Sequence, residues 1–276
     1  VTKKIRIRAS SLPTYADCMA RGIAGTLRKL VASQGYTLNQ RGRTVGATVG
    51  TACHAGVSMD LQAILDGRDR PTSRQVEALS VATLQAGTSV DDAPMVYDDL
   101  TPNPPEAVRQ VLAITRTHYQ RVAPVSHPIL VEQRLFCHIG DKVVLTGQPD
   151  NIDRTPSGST VRDLKTGRRS NHVLQLGGYG LLADSNGIEV DDAEIVGIPR
   201  PKKGRPVDIY TDTISKEILH HGAIPAVLDL VEQITENVDR VMAGDPIYQV
   251  NPASTLCSRK FCPAHGTAFC VATYKR

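Results

Sequence analysis

Residues 145–169 hold the groups of this chain best suited to chemistry. Asp150 follows an apolar run that ends in glycine (Val143, Val144, Leu145, Gly147), and thirteen residues later Asp163 and Lys165 flank Leu164 on a second short strand. Side chains alternate along a strand, so Asp163 and Lys165 share one face while Leu164 enters the opposite layer. Two carboxylates and an ammonium at one sheet edge suit a hard divalent cation and a phosphate. In such a site the carboxylates hold the metal, the metal polarises a phosphoryl oxygen and acidifies a bound water, and the lysine positions that water.

Other elements must support this group. Gln175 and Tyr179 lie ten and fourteen residues beyond Lys165. Their spacing of four places them on one face of a helix whose apolar side is Leu174, Leu181 and Leu182. Upstream, Gly50-Thr-Ala-Cys-His-Ala-Gly56 opens a helix with His54 among small residues. Small neighbours allow close packing on a sheet, and an imidazole there can complete a metal shell.

A helical histidine, Gly147-x-x-Asp150, Asp163-x-Lys165-Thr-Gly and Gln175-x-x-x-Tyr179 stand in one order along the chain. In this the sequence resembles the RecB-type branch of the PD-(D/E)XK nuclease superfamily, most densely over residues 44–185. The resemblance implies an α/β fold with a mixed central sheet flanked by helices, and DNA as substrate. It also implies Mg²⁺ or Mn²⁺ held by His54, Asp150, Asp163 and the Leu164 carbonyl. Lys165 would orient the attacking water, and Gln175 and Tyr179 would contact DNA or brace the ligands.

Each residue also has a plainer reading. Asp163 and Lys165 can be an exposed strand pair, His54 a satisfied helix histidine, and Tyr179 a core aromatic with a wet tip. For Glu132, in Ile-Leu-Val-Glu-Gln-Arg, the solvated-face reading is preferred over an accessory group near the metal. For the others the plain reading must hold several times over.

The 276 residues suffice for one large domain. We expect a single nuclease domain over 1–276, with a helical part at about 10–122, a core at about 123–213 and a C-terminal helix and cysteine cluster at about 214–276. Net charge is only +4, but basic residues cluster at Lys3–Arg8, Arg41–Arg43, Arg168–Arg169 and Arg200–Arg205, and acidic ones at Asp91, Asp92, Asp98 and Asp99. That asymmetry suits a nucleic-acid groove, with Lys202, Lys203 and Arg205 as DNA contacts, although a solvated basic loop gives the same pattern. No run reaches the apolar length of a membrane span, and Val1–Arg6 lacks a secretory core. The expected location is cytoplasmic, at the nucleoid or in an infected host cell.

Six cysteines in an intracellular chain read as ligands or buried thiols rather than disulfides. Cys53 and Cys137 sit among apolar residues and read as core thiols. Cys18 stands near one end, and Cys257, Cys262 and Cys270 crowd the other, with four and then seven residues between them. This resembles the iron–sulfur staple of AddB-like and CRISPR-associated relatives, where four thiolates hold a [4Fe–4S] cluster and pin the two termini together. The C-terminal spacing is looser than the usual form. A structural zinc, with His265 available, is the alternative.

Periodicity and punctuation predict helices at about 15–31, 44–66, 73–86, 105–122 and 215–242, besides the Gln175/Tyr179 helix. The helix at 105–122 would bury Val108, Leu112, Ile114 and Tyr119. Strands are expected at about 129–137, 142–147, 160–165, 193–199 and 206–212, with a turn at Thr155–Gly158 and a loop over 90–105. The expected activity is a metal-dependent DNA exonuclease that processes ends in recombination or repair. Recombination or CRISPR-adaptation proteins are its candidate partners. A structure-selective or site-specific endonuclease, or a non-catalytic DNA scaffold, are the alternatives. No Gly-x-x-x-x-Gly-Lys-Ser/Thr loop is present, so this chain does not unwind duplex by that chemistry.

Overall fold

The computed structural model describes residues 4–88, 95–156, 158–245, 247 and 249–271. Lys3, Asp91, Asp92 and Ser157, each part of a sequence expectation, lie outside them.

The chain opens with a strand where the sequence shows only a basic cluster, β1 (Ile5–Arg8). Three short helices follow, α1 (Leu12–Asp17), α2 (Met19–Thr26) and α3 (Arg28–Ser33), where periodicity predicts one. The first break falls at Cys18, whose backbone is extended (φ −160°, ψ 109°) and so lies outside helical space. A two-residue strand β2 (Arg43–Thr44) leads into the long α4 (Val45–Leu65), which carries His54. Thr44 caps it by accepting the Ala47 N–H at 3.4 Å. Then come α5 (Ser73–Thr88), the short β3 (Met95–Val96) and α6 (Pro104–Arg121).

Asn103 caps α6 and two prolines start it, close to the expected beginning at about 105. Its buried face is Ala107, Gln110, Val111, Ile114, Thr115 and His118, so of the four expected core positions only Ile114 is fully buried. Val108, Leu112 and Tyr119 are half-buried. The core face includes polar side chains, which pull an apolar-only reading about one position out of register.

The strands are β4 (Pro128–Val131), β5 (Leu135–Ile139), β6 (Val143–Gly147), β7 (Asn151–Thr155) and β8 (Gly158–Lys165). After α7 (Val173–Ser185) come β9 (Asp192–Gly197) and β10 (Tyr210–Ile214). The expected single strand at 129–137 is therefore two strands, and β7 is an addition to the expected set. The turn at 155–158 joins β7 to β8, with Thr155 opposite Gly158. The five-stranded sheet runs β10-β9-β8-β7-β4, and a three-stranded sheet runs β1-β6-β5. Parallel pairing of β8 with β9 amid antiparallel neighbours makes the larger sheet mixed, as expected. The chain then forms α8 (Lys216–Ile218), a π-helical turn at Leu219–Ala223, and α9 (Ile224–Met242). That turn interrupts the long helix expected over 215–242. It lies against α7, where a Cβ on Gly177 would come within 2.7 Å of the Ala223 carbonyl group.

Two hydrophobic layers sandwich the large sheet. On one side α7, α9 and the N-terminal helices bury Ile152, Val161 and Ile195 with Leu176, Tyr179 and Leu182. On the other, α4 and α6 bury Val131, Leu164, Val196 and Ile198. Cys53 and Cys137 are both buried, as their apolar surroundings predict, and burial pushes the Cys53 thiol up to about 12. Among the described residues no helix is long and apolar enough to cross a membrane.

Candidate active site

Where β6 hands over to β7, the turn 147–150 delivers Asp150 to the sheet end, and two glycines permit the close packing around it. A Cβ on Gly147 would meet Leu182 at 2.5 Å and the Tyr179 ring at 3.0 Å, so α7 lies directly on β6. A Cβ on Gly50 would stand 3.2 Å from Thr166 Oγ1, so α4 approaches the chain just past Lys165. Leu164 projects into the α4-side core, as the strand alternation requires, leaving Asp163 and Lys165 on the α7 side.

His54 Nδ1 and Asp150 Oδ1 are 2.7 Å apart, and Asp150 Oδ2 accepts the Leu164 N–H. Glu132 joins them from the end of β4. Its N–H donates to the Asp150 carbonyl at 3.0 Å, Gln148 donates to its carboxylate, and its Oε1 is 4.0 Å from His54 Nδ1. His54, Glu132 and Asp150 offer ligand atoms within 4.8 Å of one another, the spacing of a metal shell. Glu132 has φ +47°, a left-handed conformation that costs a side-chain-bearing residue energy and recurs at functional sites. The sequence alone favours a solvated face for Glu132. Its position beside the metal ligands depends on a backbone turn and on pairing across strands, and neither leaves a local motif.

Asp163 is 3% exposed. Its Oδ1 accepts from Gln175 Nε2 at 3.0 Å, and its Oδ2 is 2.6 Å from Lys165 Nζ in a contact out of line for a hydrogen bond. Gln175 Nε2 also donates to the Tyr179 hydroxyl at 3.0 Å. Gln175 and Tyr179 are both buried, so what they touch is the carboxylate and each other. Burial, then the nearby carboxylates of Asp163 and Asp150, raise the Tyr179 phenol far above its usual range, so it stays a neutral hydroxyl.

The charges favour a cation here. Burial and then the Asp150 charge raise Asp163 to about 6, and the same two causes raise Glu132. Burial works against a charged His54, but Asp150 outweighs it by charge and hydrogen bond, with help from Asp163 and Glu132, and lifts the imidazole to about 9. Three carboxylates thus crowd against one imidazolium and one ammonium. A divalent ion fits this donor set, because it would relieve the repulsion that raises both acids.

Beyond Lys165, a groove of about 1360 Å³ runs between the β9–β10 connection and the start of α6, lined by Thr166, Arg168, Lys202, Lys203 and Arg205 among others. Lys202, Lys203 and Arg205 are exposed. Arg200 is not available in the same way. Its guanidinium bonds Asp98 at 2.9 Å and Thr101 at 2.6 Å. Where the two ends of the chain meet, Cys18, Cys257, Cys262, Cys270 and His265 line one small cavity. Burial raises the Cys262 thiol, and the neighbouring Cys18 and Cys270 add to the shift. The chain ends therefore bring four thiols to the lining of one cavity.

The sequence profile of the PD-(D/E)XK nuclease superfamily matches residues 6–267. No curated protein matches the sequence significantly. Among solved structures, a candidate exonuclease from Eubacterium rectale is similar in fold, with a TM-score of 0.54 and 11% identity, over 91% of this chain and 86% of its own. An alkaline exonuclease from Laribacter hongkongensis aligns over 67% of this chain and 91% of its own, at 12% identity and a TM-score of 0.32.

Proposed function

Because the chain belongs to the PD-(D/E)XK nuclease superfamily, we propose that it is a metal-dependent DNA exonuclease of the RecB-like branch, acting on ends in recombination or repair. The observation that carries this reading is the convergence of His54, Glu132 and Asp150 beside the Asp163–Lys165 pair. The whole chain serves as one nuclease domain with the divisions near residues 122 and 213 drawn from the sequence. The cysteines at its ends hold a [4Fe–4S] cluster.

His54, Glu132, Asp150 and Asp163, with the Leu164 carbonyl, are the groups that would hold Mg²⁺ or Mn²⁺. The bound ion supplies Lewis acidity toward a phosphoryl oxygen and acidifies a water. Lys165, next to Asp163 and partly open to solvent, orients the attacking water and offsets charge growing on the phosphate. Gln175 and Tyr179 are positioning residues. They hold Asp163 by a chain of hydrogen bonds and, being buried, do not reach DNA. Lys202, Lys203 and Arg205 grip the backbone in the adjoining groove.

End-labelled linear single strands, linear duplex and closed circles, each incubated with Mg²⁺ or Mn²⁺, test the reading. Linear DNA should be consumed from its ends while circles survive. Asp163→Ala and Lys165→Ala should each lose turnover by on the order of a hundredfold or more while still binding DNA. Cut circles would replace the exonuclease with an endonuclease. Binding without cleavage by the unaltered protein would leave a DNA scaffold.

A further inference from the structure

The three-stranded sheet β1-β6-β5 has one face turned inward and one turned out. Ile7, Leu135, Cys137, Val143 and Leu145 fill the core around α7. Alternation sends the intervening residues to the other face, and the register aligns them in two rows across the strands. Arg8 stands opposite Thr146, and Thr146 opposite Phe136. Arg6 stands opposite Val144, and Val144 opposite His138. Arg6, Arg8 and His138 are exposed, and Phe136 is 57% exposed on a strand whose neighbouring residues Leu135 and Cys137 are buried.

The Phe136 ring stands open to water, with Arg8 in its own cross-strand row and Arg6 in the next. From this juxtaposition we propose that the face is a platform for single-stranded DNA, with a base stacked on Phe136 and the backbone carried by Arg6 and Arg8. The proposal rests on the nuclease reading above and adds the strandedness of the nucleic acid. A duplex keeps its base faces stacked inside, whereas a single strand presents them, which is the chemistry an exposed ring and cationic neighbours recognise.

Charge and connectivity support it. The His138 end of the face meets a groove of about 1240 Å³ lined by Lys4, Arg28 and Lys29 as well as Arg6. Lys4 Nζ lies 3.0 Å from His138 Nδ1. The acids nearby are Asp239, paired with Lys142 at 2.8 Å, and Asp141 in the β5–β6 turn, so the balance is cationic. The Phe136 end leads to the candidate metal site. Phe136 is four residues from Glu132, and Thr146 four from Asp150, a reach of at most about 14 Å of chain. The main sheet has α7 on one side and α4 on the other, and the small sheet shares the α7 side.

The test is fluorescence anisotropy of a labelled polythymidylate strand with the full chain in a chelator, so that nothing is cut. Phe136→Ala should weaken binding by about tenfold or more, in line with the removal of one stacked base, while Phe136→Tyr should not. Removing Arg6 and Arg8 together should flatten the salt dependence, by about 0.7 for each phosphate no longer neutralised. Binding of a duplex closed by hairpins at both ends should stay the same in all variants. An unchanged single-strand affinity in Phe136→Ala, or no single-strand binding by the unaltered protein, overturns the platform. So does a Phe136→Ala variant that binds DNA normally but turns a dimer into a monomer in sedimentation, which would make the face a contact between copies. Cleavage with added metal is read separately. Its absence alone would sink the nuclease reading and leave the stacking result standing.

Discussion

The imidazole of His54 cannot be an imidazolium and a metal ligand at once. Asp150 keeps it protonated up to about pH 9 in the metal-free protein, whereas a ligating histidine must be neutral. Metal entry below that pH must therefore expel a proton, and affinity must fall as pH drops. At pH 8 the proton comes chiefly from His54, because Asp163, raised only to about 6, is already ionised. Calorimetric titration of Mn²⁺ in two buffers of different ionisation enthalpy should show about one proton released per ion, and none for His54→Gln. In the same titration Glu132→Gln should bind at least about tenfold more weakly, the scale seen when groups in a metal's surroundings are removed. Equal heats in both buffers would take His54 out of the ligand set. Unchanged affinity in Glu132→Gln would return that residue to the solvated face the sequence suggests.

The connection between β9 and β10 carries its basic residues unevenly, and this sets what the element can do. Lys202, Lys203 and Arg205 are free to meet phosphates, while Arg200 ties the loop to Asp98 and Thr101. Replacing the three exposed residues with alanine should weaken binding to all DNA sequences alike. The slope of log affinity against log salt should fall by up to about 2.7, at about 0.9 for each phosphate neutralised, and turnover at saturating DNA should stay nearly constant. An unaltered slope would make the segment an ordinary solvated loop. Elements differ in how legible they are in the sequence. The helices α4 and α5 and the strand β8 stand where the sequence puts them, whereas α7 is buried nearly all round: of its expected apolar side only Leu182 is buried, Leu174 and Leu181 being half-buried, and Gln175 and Tyr179 face inward. The strand β7 is hidden because two of its three buried side chains are polar, with Asn151 donating to Asp153 at 2.6 Å and Asp153 paired with Arg162. The break at Cys18 and the left-handed turn at Glu132 follow from what the chain meets elsewhere in the fold. For the candidate site, motif order finds Asp150, Asp163, Lys165, Gln175, Tyr179 and His54, while Glu132, which has no motif, emerges only once the strands are paired.

At the scale of the molecule, the two ends of the chain depend on each other. Residues 249–271 contain turns but no described helix or strand, so regular backbone pairing does not hold them. Polar ties reach them from α1 and from the segment that follows α3. Ser254 donates to Asp17 at 2.7 Å, Asn39 Nδ2 donates to the His265 carbonyl at 2.7 Å, and Arg41 donates to the Phe261 carbonyl at 2.8 Å. Phe269 packs edge-on against Tyr36 at 5.2 Å. Cys262, Ala264, Phe269 and Cys270 are also buried in the main core, and a metal bound by thiolates from both ends would add a cross-link to these contacts. Protein prepared without oxygen should be brown, contain iron, and bleach on prolonged exposure to air. Cys18→Ala should lose the colour, melt at lower temperature, and expose both 10–34 and 249–271 to protease, since both segments lose the same cross-link. His265→Ala separates the metals. With four thiolates around a cluster the iron content is unchanged, whereas a Cys₃His zinc site that uses this imidazole loses its metal. About one zinc and no iron would replace the cluster while keeping the staple. A Cys18→Ala protein that melts and resists protease like the unaltered one would mean that the polar ties and the shared core join the two ends without a metal.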